Sequence, residues 1–196
     1  PIVERLYAEK VEIHAANKGG GTPLMAACLN GHVSIVDYLL AHGALADLEL
    51  ATTSGSTPLM VASQKGHLPV IERLLARGAN PNVKTHTGQT CFYWACQGGH
   101  LGVVQRLSAE KVDIHVATKD GWTPLLGACY FGHVPVVDWL LAHGAEADLE
   151  RASQTGGTPL MVASQNGHLP IVERLLAQGA NPNIRPMRDA TCFYYA

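Results

Sequence analysis

The sequence predicts an all-α fold, a solenoid of stacked helix-turn-helix units joined by hairpin-like loops, and three recurrent features predict it. Thr-Pro-Leu begins at Thr22, Thr57, Thr123 and Thr158, with Thr-Cys-Phe in the same phase at Thr90 and Thr191, so the steps are 35, 33, 33, 35 and 33 residues. A Gly-His pair follows at a constant offset, as Gly31-His32, Gly66-His67, Gly99-His100, Gly132-His133 and Gly167-His168. An apolar stripe ending in Leu-Leu and Gly-Ala comes next, as in Val36, Leu39, Leu40, Gly43 and Ala44. A self-similar period of this length marks a linear array of supersecondary units rather than a globule with one centre.

Each element has a mechanical reason. A threonine at the N-cap accepts a backbone N–H bond, and proline suits the first helical position because its missing N–H would have no partner there. Every Thr-Pro therefore opens a first helix. Gly31 and its equivalents can take the left-handed conformation that ends it, and Pro69, Pro135 and Pro170 stand where a second helix starts. The spacing of Val36, Leu39 and Leu40, and of Ile71, Leu74 and Leu75, puts one apolar stripe on that second helix, which Gly43, Gly78, Gly144 and Gly179 stop. Helices of about two turns are marginal alone, so stacking on neighbours must supply their stability.

The pattern T-P-L-x-x-A, G-H, apolar stripe, L-L and G-A at a 33-residue period resembles the ankyrin repeat, over essentially the whole chain and in five consecutive units. The resemblance implies one array over 1–196: a partial repeat 1–16, repeats 17–51, 52–84, 85–117, 118–152 and 153–185, and a partial repeat 186–196. It also implies a non-enzymatic module that binds a protein partner on a concave side made by finger loops and first helices. Departures from the family pattern are the replacement of its His after T-P-L by Met25, Met60, Tyr93, Leu126, Met161 and Tyr194, Lys10 and Lys111 at the glycine that ends the second helix, and Asp189 in a hairpin. Asn82 and Asn183, in Gly-Ala-Asn-Pro-Asn, fall at a position resembling the asparagine hydroxylated in some members.

A longer period overlies the first. Residues 1 to 95 align without a gap on 102 to 196, an offset of 101, with roughly two-thirds of positions identical, so a three-repeat block is duplicated. The 35-residue steps add two residues around Asp47-Leu48-Glu49-Leu50 and Asp148-Leu149-Glu150-Arg151, which are expected to lengthen one finger per block. The chain starts inside a second helix and stops inside a first one, without polar caps, which reads as a piece of a longer array whose uncapped ends could associate head to tail.

Composition bounds the function. With 47% hydrophobic and 15% charged residues the chain is globular, and a net charge of −2 with a pI near 6.6 argues against nucleic acid. No apolar run reaches the roughly 20 residues of a membrane span. Five cysteines, with Cys91 and Cys96 on different helix faces, do not make a disulfide framework, which favours a cytoplasmic setting.

Chemistry-bearing residues read mostly as packing. His32, His67, His100, His133 and His168 recur once per repeat in the inter-helix turn, and a spacing of roughly 8 to 10 Å between stacked helices keeps them from sharing a metal. His14 with His115 and His42 with His143 read as solvated or carbonyl-capping. Cys28, Cys96 and Cys129 take the place of Ser63 and Ser164, a small-residue packing position without an activating partner. Gly19-Gly20-Gly21 lacks the Gly-Lys-Ser/Thr of a phosphate loop. No catalytic residue, cofactor or metal is expected.

The two blocks differ at Gly21/Trp122, Ala26/Gly127, Leu29/Tyr130, Asn30/Phe131, Leu45/Glu146, 52–54 against 153–155 and 83–89 against 184–190. The resemblance puts these on the fingers and the inward side of the first helices. The expected partner-binding set is Trp94, Trp122, Tyr130 and Phe131 as aromatic anchors, with Gln89, Lys119, Asp120, Leu29, Gln64 and Gln97, on fingers 86–89, 119–122 and 154–157 and the adjoining helices. Trp94→Ala and Trp122→Ala are expected to weaken binding while barely altering stability. Trp139, like Tyr38, falls on a second helix. The alternative is a structural spacer within a longer polypeptide.

Overall fold

The computed structural model describes residues 13–184. Thr191, Cys192, Phe193, Tyr194, Asp189, Lys10 and both ends invoked for head-to-tail association lie outside the described residues. Within them run ten α-helices in five pairs: α1 (Pro23–Leu29) with α2 (Val33–Ala41), α3 (Pro58–Lys65) with α4 (Leu68–Ala76), α5 (Cys91–Gln97) with α6 (Leu101–Ser108), α7 (Pro124–Phe131) with α8 (Val134–Ala142), and α9 (Pro159–Gln165) with α10 (Leu169–Ala177). No described helix is long and apolar enough to cross a membrane.

The helix starts follow the cap chemistry. Thr22, Thr57, Thr90, Thr123 and Thr158 have extended backbones, and each hydroxyl accepts from the N–H three residues on, at 3.1 to 3.4 Å. Proline holds the first position in four of these helices; Cys91 replaces it in α5, its Sγ donating to the Pro81 carbonyl. The inter-helix glycines are left-handed, as are Gly43, Gly78, Gly144 and Gly179 after the second helices, where Lys111 keeps the same turn with φ 56°.

The five first helices pack in one row and the five second helices in another, each helix also packing on its pair-mate. Side-chain size sets the spacing of each row. The first helices meet through Ala27, Cys28, Ala62, Ser63, Ala95, Cys96, Ala128, Cys129 and Ala163, all buried, whereas the second helices bring bulkier Val36, Ile71, Leu74, Val104, Leu107, Val137 and Leu140. The first row packs closer than the second, as expected of an array whose inner side is lined by the first helices.

The two-residue insertions do not lengthen the fingers. The finger at Thr52 closes with Thr52 N–H to Ser56 O and Gly55 N–H to Thr52 O, the same pattern as Thr85 N–H to Gln89 O and Gly88 N–H to Thr85 O in a unit without the insertion. The extra residues wind into 3₁₀ turns at Ala44–Asp47 and Ala145–Asp148. Each turn buries an aspartate. Asp47 accepts from His14 Nδ1 at 3.0 Å and Asp148 from His115 Nδ1 at 2.9 Å, so these two histidines, open to solvent on one side, also serve as partners for buried carboxylates.

The blocks diverge at this pair. Arg151 Nη1 lies 3.3 Å from Asp148 Oδ1 and donates to the His115 carbonyl, but its counterpart is Leu50, and Asp47 Oδ2 is the buried side-chain oxygen left without a partner among the described residues. A buried acceptor without a donor is destabilising. Leu50→Arg is expected to raise stability by about 1 kcal/mol, a figure kept small because the arginine is half-exposed. Urea denaturation measures it, and no gain would mean that the orphaned oxygen costs little.

Candidate functional site

Three lines of equivalent positions run across the inner side. The finger base carries Gly21, Ser56, Gln89, Trp122 and Gly157; the middle of the first helices carries Ala26, Val61, Trp94, Gly127 and Val162; their last turn carries Leu29, Gln64, Gln97, Tyr130 and Gln165. Seven of the ten expected partner-binding residues stand on these lines. Of the others, Phe131 follows Tyr130, and Lys119 and Asp120 are exposed at a finger tip.

Backbone bonds hold the fingers in a row: Thr53 N–H to Gly19 O, His86 N–H to Ser54 O, Lys119 N–H to Thr87 O and Gln154 N–H to Asp120 O, at 2.8 to 3.1 Å. Lys119 is further tied by its carbonyl, which accepts from Gln154 Nε2 at 2.7 Å. Gln89 turns inward, its side-chain oxygen accepting from Thr85 and Thr87, so it shapes its own finger rather than extending from it.

The last-turn line is fixed by histidine. His67, His100, His133 and His168 donate from Nε2 to the carbonyls of Leu29, Gln64, Gln97 and Tyr130, at 2.8 to 3.1 Å. Each bond crosses from one unit to the preceding one. These rings therefore do more than shape a turn, and they provide inter-repeat hydrogen bonds even though Met or Leu follows each Thr-Pro-Leu. Desolvation lowers the His133 pKa below its ordinary value, and the neighbouring His100 and His168 push the same way. His42 and His143 cap carbonyls as expected, on Tyr38 and Trp139 at 2.7 Å, and stack on those rings.

The aromatic anchors divide into two groups. Trp122, Tyr130 and Phe131 form a continuous run of edge-on rings, with centroids 5.4 and 4.9 Å apart, that ends against His133. Tyr130 is 39% and Phe131 48% exposed, while Trp122 is half-buried against the core. Trp94 is half-buried one unit away, edge-on to Tyr93 at 5.9 Å. Both tryptophans pack on the core, so truncating them is expected to cost stability as well as binding, against the expectation that stability would barely change. Leu29 and Gln64 are exposed and Gln97 is half-buried. Trp139, on α8, reaches the Phe92 ring of the preceding unit at 6.2 Å.

The cysteines are placed for packing. Cys28, Cys91, Cys96 and Cys129 are buried free thiols, and burial raises each, Cys28 and Cys91 to about 12. A thiol held that high carries almost no thiolate near neutrality, which removes its nucleophilic form. Among the described residues no three His, Cys, Asp or Glu side chains are grouped to hold a metal. Asn82 and Asn183 are exposed on their hairpins, each backbone N–H donating at 2.9 Å to the asparagine two residues before.

Comparison with protein families gives a match to the model described as ankyrin repeats (3 copies), over residues 1–85, 70–151 and 92–186. Comparison with curated proteins gives no match.

Proposed function

The chain belongs to the ankyrin-repeat family, whose members are generally protein–protein interaction modules rather than enzymes, and from that premise we propose that it is a scaffold binding a protein partner along its inner side. Its units in this reading are the repeats 17–51, 52–84, 85–117, 118–152 and 153–185. The observation that carries the proposal is the run of Trp122, Tyr130 and Phe131, three touching rings beside a finger loop with two of them open to solvent. Rigid aromatic side chains offer large apolar area at low entropic cost, and they dominate binding hot spots. Exposed Lys119 and Asp120 on the adjoining finger supply polar contacts at the rim, and Trp94, Gln89, Gln97, Gln64 and Leu29 extend the surface across three further units.

The test is affinity capture with the 196-residue chain, followed by titration of the captured partner. Tyr130→Ala and Phe131→Ala are each expected to weaken it about thirtyfold, equivalent to about 2 kcal/mol, with the circular dichroism unchanged. Leu176→Ala, on the exposed side of α10, serves as the control and leaves affinity unaltered. A partner that binds the Tyr130/Phe131 double variant as tightly as the parent places the interface elsewhere. Recovery of nothing specific favours the spacer reading.

A further inference from the structure

An open recess of about 600 Å³ lies on the inner side of the first block, lined by Gly21, Met25, Ala26 and Leu29 on one flank and by Thr52 and Val61 on the other. Its counterpart in the second block carries Trp122 in place of Gly21 and Tyr130 in place of Leu29. The duplicated block therefore offers a comparison within one molecule. Val61 and Val162 are the same residue in the same position of the unit that follows, yet Val61 is half-buried and Val162 is 7% exposed. Thr52 is half-buried and its counterpart Ser153 is buried. On the other flank, the wall that Tyr93 and Gln97 give Gly127 has no described counterpart beside Ala26. The large side chains that differ there are Trp122, Tyr130 and Phe131 in place of Gly21, Leu29 and Asn30, and their rings touch in series.

We infer that the recess between Leu29 and Val61 is a binding site for an indole group, a tryptophan side chain presented by a partner polypeptide, which takes there the place that Trp122 fills from within the chain in the second block. The inference deepens the interaction reading above by adding a second contact point, two units from the Tyr130 and Phe131 rings, with a stated side-chain preference. The site is apolar on its helix faces and polar at the finger, where Asn17 accepts from the Gly19 and Gly21 N–H groups at 2.9 Å. A planar ring with one polar edge matches that lining better than a branched aliphatic group does.

N-acetyl-L-tryptophanamide is the probe, titrated into the isotopically labelled chain and followed by NMR. Saturable one-to-one binding is expected, with the largest shifts at Val61, Met25 and Leu29, and at least tenfold weaker binding of N-acetyl-L-leucinamide. Gly21→Trp should fill the recess from within and weaken the probe at least tenfold. Among the described residues a Cβ there meets only the Asn17 side chain, 3.0 Å away, and Asn17→Thr with Gly21→Trp gives both positions their second-block residues should the single variant fold poorly. Leu29→Lys, at an exposed rim position, gives an independent loss. Shifts that do not saturate, equal binding of the leucine probe, or unchanged binding in folded Gly21→Trp and Leu29→Lys would overturn the site. A captured partner that loses affinity on Tyr130→Ala but not on Gly21→Trp sinks this inference and leaves the interaction reading standing.

Discussion

Phe92→Ala should lower stability by about 3 to 5 kcal/mol, the range for deleting a fully buried aromatic ring. Phe92 has no solvent exposure and stands where the other first helices carry Leu24, Leu59, Leu125 and Leu160, all buried. Its larger ring reaches across to Trp139. The cavity would open in the third of five described units, and an array held by nearest-neighbour contacts has no alternative path around a weak unit. Urea denaturation is therefore expected to lose its single transition, with the flanking pairs unfolding separately. A single transition displaced by less than about 1.5 kcal/mol would mean that Phe92 is not central to the core.

Gly99→Ala is expected to cost about 2 to 4 kcal/mol, and Gly167→Ala distinctly less. Both glycines are left-handed, with φ 74° and 72°, so any Cβ adds strain of roughly 1 to 2 kcal/mol. They differ in what that Cβ would meet. At Gly99 it would lie 2.4 Å from His133 Nδ1, closer than atoms approach, whereas at Gly167 nothing among the described residues lies within 4 Å. Relief at Gly99 requires the imidazole to swing away and break its bond to the Gln97 carbonyl, a further loss of about 1 kcal/mol. Thermal melts of the two variants side by side isolate that term, and equal destabilisation would mean that the histidine contact contributes nothing.

The sequence made the local structure legible because its signals act over a few residues. Thr-Pro caps, left-handed glycines and the Val36, Leu39, Leu40 stripe each specify geometry within one or two turns, and the pairs of helices lie where those signals put them. What escaped was contact between units. The bond from His133 to Gln97 spans 36 residues and that from His14 to Asp47 spans 33, and the recurrence of the histidines in the sequence does not say which group each one meets across the seam. The insertion near Asp47 was visible, but whether two residues enter a finger or wind into a 3₁₀ turn depends on the partner waiting for the aspartate. The half-burial of Trp94 and Trp122 stayed open for a related reason: an amphipathic ring can cover its neighbours or face water, and the surrounding side-chain sizes decide.

The pairing of each inter-helix glycine with the histidine of the following unit gives the array a grammar. Every seam from Gly31 to Gly132 is closed by the same two-part fitting, a space on one side and an imidazole that enters it from the other. Units joined this way can be copied in tandem without redesigning the junction, since any segment that is a whole number of units long ends in the socket its own beginning needs. Tandem copying of 101 residues is then a conservative event for folding, and the novelty it creates is confined to side chains such as Trp122 that the fitting does not use.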